Sequence, residues 1–229
     1  MKYVLLLTAA IAIFGLFSGS NEQVIPLLQG TLVEPYLLAL HNGNSIAFNM
    51  SVGFLVSTFF WLIVVYHPER KRRTLLRDNL SRQYQSFKES TIQILLWSAV
   101  GTHDSELPNE LCDHLKFKDF FNKNNKENWY AALNDLQSNQ ARMHDILFEL
   151  EMLASEISYV LNNVNIQNDR VHSFFKRLNE NIYRLKASSV YSYDQVKYVG
   201  NFLWGIHARW SIIDGQRNDD VIQNMIDSL

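Results

Sequence analysis

The sequence predicts an all-α, membrane-anchored protein: two N-terminal transmembrane helices followed by a cytoplasmic multi-helix bundle. Three observations carry that expectation. They are an uncharged apolar run that ends in a basic cluster, an apolar N-terminus, and three-four apolar spacing through most of the remaining chain.

The run is Ile46 to Tyr66, IAFNMSVGFLVSTFFWLIVVY, 21 residues without a charge. As a helix it rises about 31 Å, enough to cross the roughly 30 Å hydrocarbon core of a bilayer. Arg70, Lys71, Arg72 and Arg73 follow at once and Arg77 comes one turn later. Short basic flanks of this kind are retained on the cytoplasmic side. The expected location is therefore the cell inner membrane, multi-pass, with the bulk of the chain cytoplasmic. The same five residues form a membrane-surface belt, first a topology signal and secondly a contact for membrane lipids, each cation near anionic headgroups contributing about 1 kcal/mol.

Residues 1–66 read as a transmembrane hairpin. MKYVLLLTAAIAIFGLFSGS opens with one lysine, runs apolar from Tyr3 to Phe17 and ends in small residues. That pattern suits a cleaved signal peptide or a retained first helix, and the weak cleavage residue serine favours retention. Both readings put residues 21–45 outside. This loop is unusually apolar, and Ile25, Leu28, Leu32, Tyr36 and Leu40 lie near helical spacing, which suggests a short interfacial helix. Pro26, Gly30 and Pro35 argue against another full span.

Within the second span, Ala47 and Ser51, then Gly53 and Ser57, place small residues four apart, a spacing that lets helices approach closely in membranes. Asn49 either finds a partner across a helix interface or is hydrated near the outer headgroups. Phe59, Phe60, Trp61 and Tyr66 form an aromatic inner end.

Residues 67–101 form a basic juxtamembrane segment and a long helix carrying Leu76, Leu80, Gln83 or Tyr84, Phe87, Thr91, Ile94 and Ser98, widened by Leu75, Ile92, Leu95 and Leu96. Residues 102–229 form the bundle. Two shorter pieces, 109–121 and 126–136, flank the polar run NKNNKEN. Ser138 is expected to cap a long helix striped by Met143, Ile146, Leu147, Leu150, Leu153, Ala154, Ile157, Val160 and Leu161. Asp169 is expected to cap the next, with Val171, Phe174, Phe175, Leu178, Ile182 and Leu185. A helix over 193–213 carries Val196, Val199, Phe202, Leu203, Ile206, Trp210 and Ile213, and a short amphipathic helix closes the chain. No segment alternates like a strand for long.

Charge separates along the chain. Residues 67–82 hold six Lys or Arg against two acids, whereas residues 83–229 hold 14 Lys or Arg against 19 Asp or Glu. An acidic distal domain disfavours nucleic-acid binding. Cys112 is alone, which excludes an intramolecular disulfide and suits a buried structural thiol.

Chemistry is thinly signalled. The sequence lacks a phosphate loop, an HExxH motif, a GxSxG elbow and Glu-x-x-His pairs. His103, Asp104, Glu106, Glu110, Cys112, Asp113 and His114 are the densest polar cluster, but their spacing fits a solvated loop and a helix start better than a metal site. His144, Asp145, Glu149, Glu151 and Glu156 read as a solvated helix face. No Arg precedes a His by four to six residues, which departs from the pattern of helical HEPN-type ribonucleases. His207 lies on an apolar face and reads as a hydrogen-bonded core histidine. Neither a catalytic centre nor a bound metal or cofactor is expected. Tyr198 and Trp204 fall off the main stripe and are candidates for an exposed partner surface, although packing against neighbouring helices is the commoner role of such aromatics in a layered bundle.

These features favour a self-associating, membrane-anchored bundle that binds or senses a soluble protein partner. The small-residue pairs and the heptad-like helix support a homo-oligomer with coiled-coil character. The competing expectation is an oligomeric membrane effector, pore-forming or membrane-perturbing, of the kind found in anti-phage defence. That comparison is architectural analogy.

Overall fold

In a computed structural model, residues 2–18, 28–36, 45–187, 193–211 and 215–229 are described. They are predominantly helical and form two compact units, Met1–Lys71 and Arg72–Leu229.

The first unit holds α1 (Lys2–Ser18) and α2 (Ser45–Trp61), which pack against one another. The buried residues among those described here are Ala12 and Ser51, both small, which lets the two helices approach closely. Leu62–Tyr66 continues as a five-residue π-helix. Between α1 and α2 the described residues make a turn in which Gly30, at φ +79°, donates its N–H to Glu34 Oε2 at 2.6 Å. Residues 19–27 and 37–44 lie outside the described set, and with them most of the proposed interfacial helix and the end of the signal-like segment.

The second unit is a helical bundle. Its first helix, α3 (His67–Val100), contributes its residues from Arg72 onward. After the short α4 (Leu107–Glu110) come α5 (His114–Ser138), α6 (Gln140–Asn163), α7 (Asp169–Ala187) and α8 (Tyr193–His207). A two-stranded hairpin, β1 (Trp210–Ser211) with β2 (Gly215–Gln216), then leads to α9 (Val221–Asp227). Arg72 Nη2 donates to Asn163 Oδ1 at 2.6 Å near one end of α3, and Arg142 Nη1 to the Trp97 carbonyl at 3.4 Å near the other. Rising residue number in α3 thus meets falling number in α6, so the two run antiparallel.

The apolar stripes account for this packing. Leu76, Leu80, Tyr84, Phe87, Ile92, Leu95 and Leu96 of α3 are buried, as is the α6 row from Met143 to Val160. Of the expected α3 stripe, Leu75 stands exposed and Ile94 is only partly buried. α5 is broken: Lys123 is extended and Asn124, Asn125 and Lys126 have φ of 50°, 57° and 65°. Asparagine tolerates this left-handed region better than most residues, and Asn128 Nδ2 bridges the break to the Phe120 carbonyl at 3.0 Å.

Several boundaries differ from the sequence expectation. Asn139, one residue beyond Ser138, caps α6 by accepting from the Arg142 N–H. Asn168 rather than Asp169 accepts from the first turn of α7, at 3.0 Å from the Arg170 nitrogen. The first bundle piece does not begin at Asn109; Asp113 accepts from the amides of Leu115 and Lys116 and starts α5. The helix expected over 193–213 stops at His207. Arg209 turns to φ +50°, Gln216 Nε2 satisfies the Ala208 carbonyl at 2.7 Å, and the Arg217 amide donates to the Arg209 carbonyl at 2.9 Å. A left-handed residue plus these replacement partners ends the helix where apolar spacing alone would continue it.

Candidate functional site

Among the described residues of the second unit, a buried polar network lies where α3, α8 and α9 meet. Asp220, one residue before α9, accepts the Gln223 amide and the Tyr84 hydroxyl on Oδ1, at 3.1 and 3.0 Å. Its Oδ2 faces Lys88 Nζ at 3.2 Å. Lys88 also stands 4.7 Å from the centroid of the Tyr84 ring. One carboxylate therefore caps a helix, neutralises a buried ammonium and orients a phenol. Burial and the Asp220 charge push the Tyr84 hydroxyl well above its usual pKa, so it stays protonated and donates.

One turn further along α3, Thr91 Oγ1 sits 2.7 Å from the Phe87 carbonyl and 3.0 Å from His207 Nε2. With its hydrogen given to Phe87, the threonine accepts from Nε2–H, which leaves Nδ1 as the unprotonated nitrogen, and Nδ1 is buried without a partner. The imidazole stacks on Phe117 with centroids 5.0 Å apart. Burial first, then the neighbouring Lys88, lowers its pKa to about 3, against the opposing pull of Asp220. His207 is a neutral, hydrogen-bonded core histidine.

A cleft of about 100 Å³ opens beside this network, walled by Tyr84, Arg209, Trp210, Arg217, Asp219 and Asp220. His207 is visible in the sequence as a histidine on an apolar face, whereas Lys88 and Asp220 are not apparent there. Lys88 interrupts an apolar stripe with a charge, and its partner is 132 residues away. A single charge in such a stripe, with no acid three or four residues away on the same helix face, is the signal that could have been followed.

Arg70, Lys71 and Arg72 are exposed, while Arg73 is partly buried and its Nε donates to the Leu229 carbonyl. Arg77 pairs with Asp78 at 3.0 Å. Ser51 is buried; Asn49, Gly53 and Ser57 are exposed, and the Ser57 hydroxyl is spent on the Gly53 carbonyl at 2.8 Å. The Ala47 side chain lies outside the described set. Tyr198 is exposed. Trp204 is not free: it packs edge-on against Trp129 at 5.0 Å, lies 5.9 Å from Phe117 and carries Lys126 Nζ over its ring. Side-chain spacing on α8 alone did not reveal that α5 covers this face.

The polar cluster from His103 to His114 does not converge. His103 lies edge-on to Trp97 at 5.1 Å, Glu110 pairs with Lys116 at 3.4 Å, and Asp113 is spent on the α5 amides, which lower its pKa. Among the described residues no three of His, Cys, Asp or Glu gather as metal ligands. Cys112 is a free thiol, half-buried rather than fully buried, and burial raises its pKa away from the reactive thiolate.

Comparison of the chain with protein-family models, with curated proteins and with solved structures gives no match.

Proposed function

We propose that this chain is a membrane-anchored helical interaction module. Its N-terminal hairpin spans the inner membrane twice, both termini lie in the cytoplasm, and its acidic bundle binds or senses a protein partner there. One observation carries the anchoring. Among the described residues, one helix, Phe48–Val100, is long and apolar enough to cross a membrane, and only 6% of its apolar window is buried within the protein. Met50, Val56, Phe59, Phe60, Ile63, Val64 and Val65 are all more than half exposed. In water that surface carries a large hydrophobic penalty, about 25 cal/mol per Å² of apolar area; in hydrocarbon it carries none. The exposed cations at 70–72 then meet the cytoplasmic headgroups, and the opposite face of the membrane takes residues 21–45.

Self-association belongs to the same reading. Asn49 is exposed near the start of the span and finds a partner most economically in a second copy. A monomer in mild detergent at every concentration, by light scattering, would refute that part. A reporter fused after Leu229 tests the orientation: cytoplasmic activity supports it and periplasmic activity alone refutes it.

The bundle is proposed to be non-catalytic. In its buried network Asp220, Tyr84 and Thr91 each have a defined partner and His207 is held neutral, which suits rigidity better than proton transfer. The alternative reading is the membrane effector gated by the bundle. Liposome dye release by the purified protein distinguishes the two, since a recruiting module leaves the vesicles sealed.

A further inference from the structure

α6 is apolar on two opposite faces. Met143, Ile146, Leu150, Leu153, Ile157 and Val160 point into the core and are buried. On the other side Phe148, Met152 and Tyr159 are 53%, 43% and 52% exposed. At about 100° per residue these three fall within roughly 40° of one another, with Ser155 about 20° outside their arc, and lie about half a turn from the core row. A surface helix ordinarily presents polar side chains there. Scattered apolar residues on a surface need no explanation, but a row along a single helix face marks a contact. Methionine between two aromatics is also the composition enriched at binding surfaces.

The charges around the row narrow what covers it. Asp145, Glu149 and Glu156 run along one edge and Glu151 along the other, with no Lys or Arg from Met143 to Asn163. Two cations reach these edges from neighbouring helices: Lys186 Nζ pairs with Glu151 Oε2 at 2.6 Å, and Arg82 lines a groove with Glu156. Glu149 accepts from Ser90 of α3, and burial raises its pKa. Carboxylates still outnumber cations. Two copies meeting through this face would bring acidic edges together, a like-charge juxtaposition that suppresses pairing.

We propose that the outer row of α6, Phe148, Met152 and Tyr159 between its carboxylate edges, docks a basic amphipathic helix of a partner protein. The apolar face of the partner covers the row and its Lys or Arg side chains meet Asp145, Glu151 and Glu156. This rests on the interaction-module reading and gives that module a surface and a partner chemistry.

The test uses the full chain in nanodiscs of zwitterionic lipid and a fluorescent helical peptide of about five turns, leucine on one face and lysine on the other. Signal from empty nanodiscs is subtracted, and a peptide with glutamate in place of lysine is the control. The basic peptide is expected to bind and the acidic one not. Phe148→Ser/Met152→Ser/Tyr159→Ser weakens binding by about ten-fold or more while leaving the thermal melt unchanged, because all three side chains are exposed. Asp145→Asn/Glu156→Gln weakens it less and flattens its salt dependence. Wild-type affinity in the triple variant, equal binding of both peptides, or binding of neither overturns the proposal. So does a wild-type oligomer that disperses in the triple variant, which assigns the row to a second copy. A chain that stays out of membranes yet shows the peptide contrast in buffer refutes the anchoring and leaves this surface standing.

Discussion

Lys88 Nζ lies 3.2 Å from Asp220 Oδ2 with both side chains nearly withdrawn from solvent, at 8% and 13% exposure. Removing one partner of such a pair strands a buried charge and costs about 3–5 kcal/mol, more than the net value of the pair itself. Asp220→Ala also deletes the α9 cap. It is expected to destabilise the bundle strongly, whereas Tyr84→Phe, which removes one hydrogen bond, costs about 1 kcal/mol. Chemical denaturation of the two variants in the same detergent measures the difference; equal stabilities would show that Asp220 is not the hub of this network.

His207 gives the bundle a defined acid sensitivity. Its imidazole titrates near 6.5 in the unfolded chain and at about 3 in the fold. Below pH 6.5 the unfolded chain therefore binds a proton that the fold refuses. The stability contributed is fully present above pH 6.5 and falls as pH drops toward 3, by about 2 to 3 kcal/mol at pH 4.5. Thermal melts from pH 7 to 4.5 are expected to show this fall, and His207→Gln should flatten it at some cost in stability at neutral pH. A His207→Gln profile as steep as the wild type would place the sensitive group elsewhere.

Gly200 allows α8 to lie against α5. A Cβ at this position would stand 2.7 Å from Leu133 Cδ2. Gly200→Val overfills that contact and is expected to cost about 1–3 kcal/mol. Pairing it with Leu133→Ala should recover part of the loss. A double variant no more stable than Gly200→Val would mean that the crossing is not limited by this contact.

Much of the bundle was legible because its helices obey one rule. Met143, Ile146, Leu150, Leu153 and Ile157 repeat at three and four and are buried, and the same spacing located α3, α7 and most of α8. The rule failed where the backbone leaves the helix for local reasons. Trp210 and Ile213 continue the α8 spacing, yet Arg209 adopts φ +50° and Trp210 enters a hairpin opposite Gln216. Caps were misplaced by one residue because Ser138 and Asn139, or Asn168 and Asp169, are neighbours of equal capping ability. The candidate site was half legible. A histidine on an apolar face is visible in a sequence, whereas the Lys88–Asp220 pair depends on a contact across 132 residues. The exposed row of α6 was legible but passed over: Phe148, Met152 and Tyr159 lie half a turn from the buried stripe by spacing alone, and the neighbouring Asp145, Glu149 and Glu156 made that face read as solvated.

As the proposed span, Ile46–Tyr66 is expected to be sensitive to charge at its centre. Val56, exposed and midway along Ile46–Tyr66, tolerates apolar exchange, but Val56→Arg is expected to raise the insertion free energy by about 2.5–3.5 kcal/mol. Membrane-fraction yield across a Val56→Leu, Val56→Asn and Val56→Arg series checks this. A flat series would indicate that the segment does not sit in hydrocarbon.

Alkaline carbonate extraction of membranes from cells expressing the full chain tests the anchoring most directly. Carbonate strips proteins held by surface charge, such as a contact made through Arg70, Lys71 and Arg72 alone, and leaves spanning helices in the bilayer. Retention of the intact chain in the membrane pellet is the expected result. Its release as a folded, monodisperse protein would contradict membrane anchoring through Ile46–Tyr66.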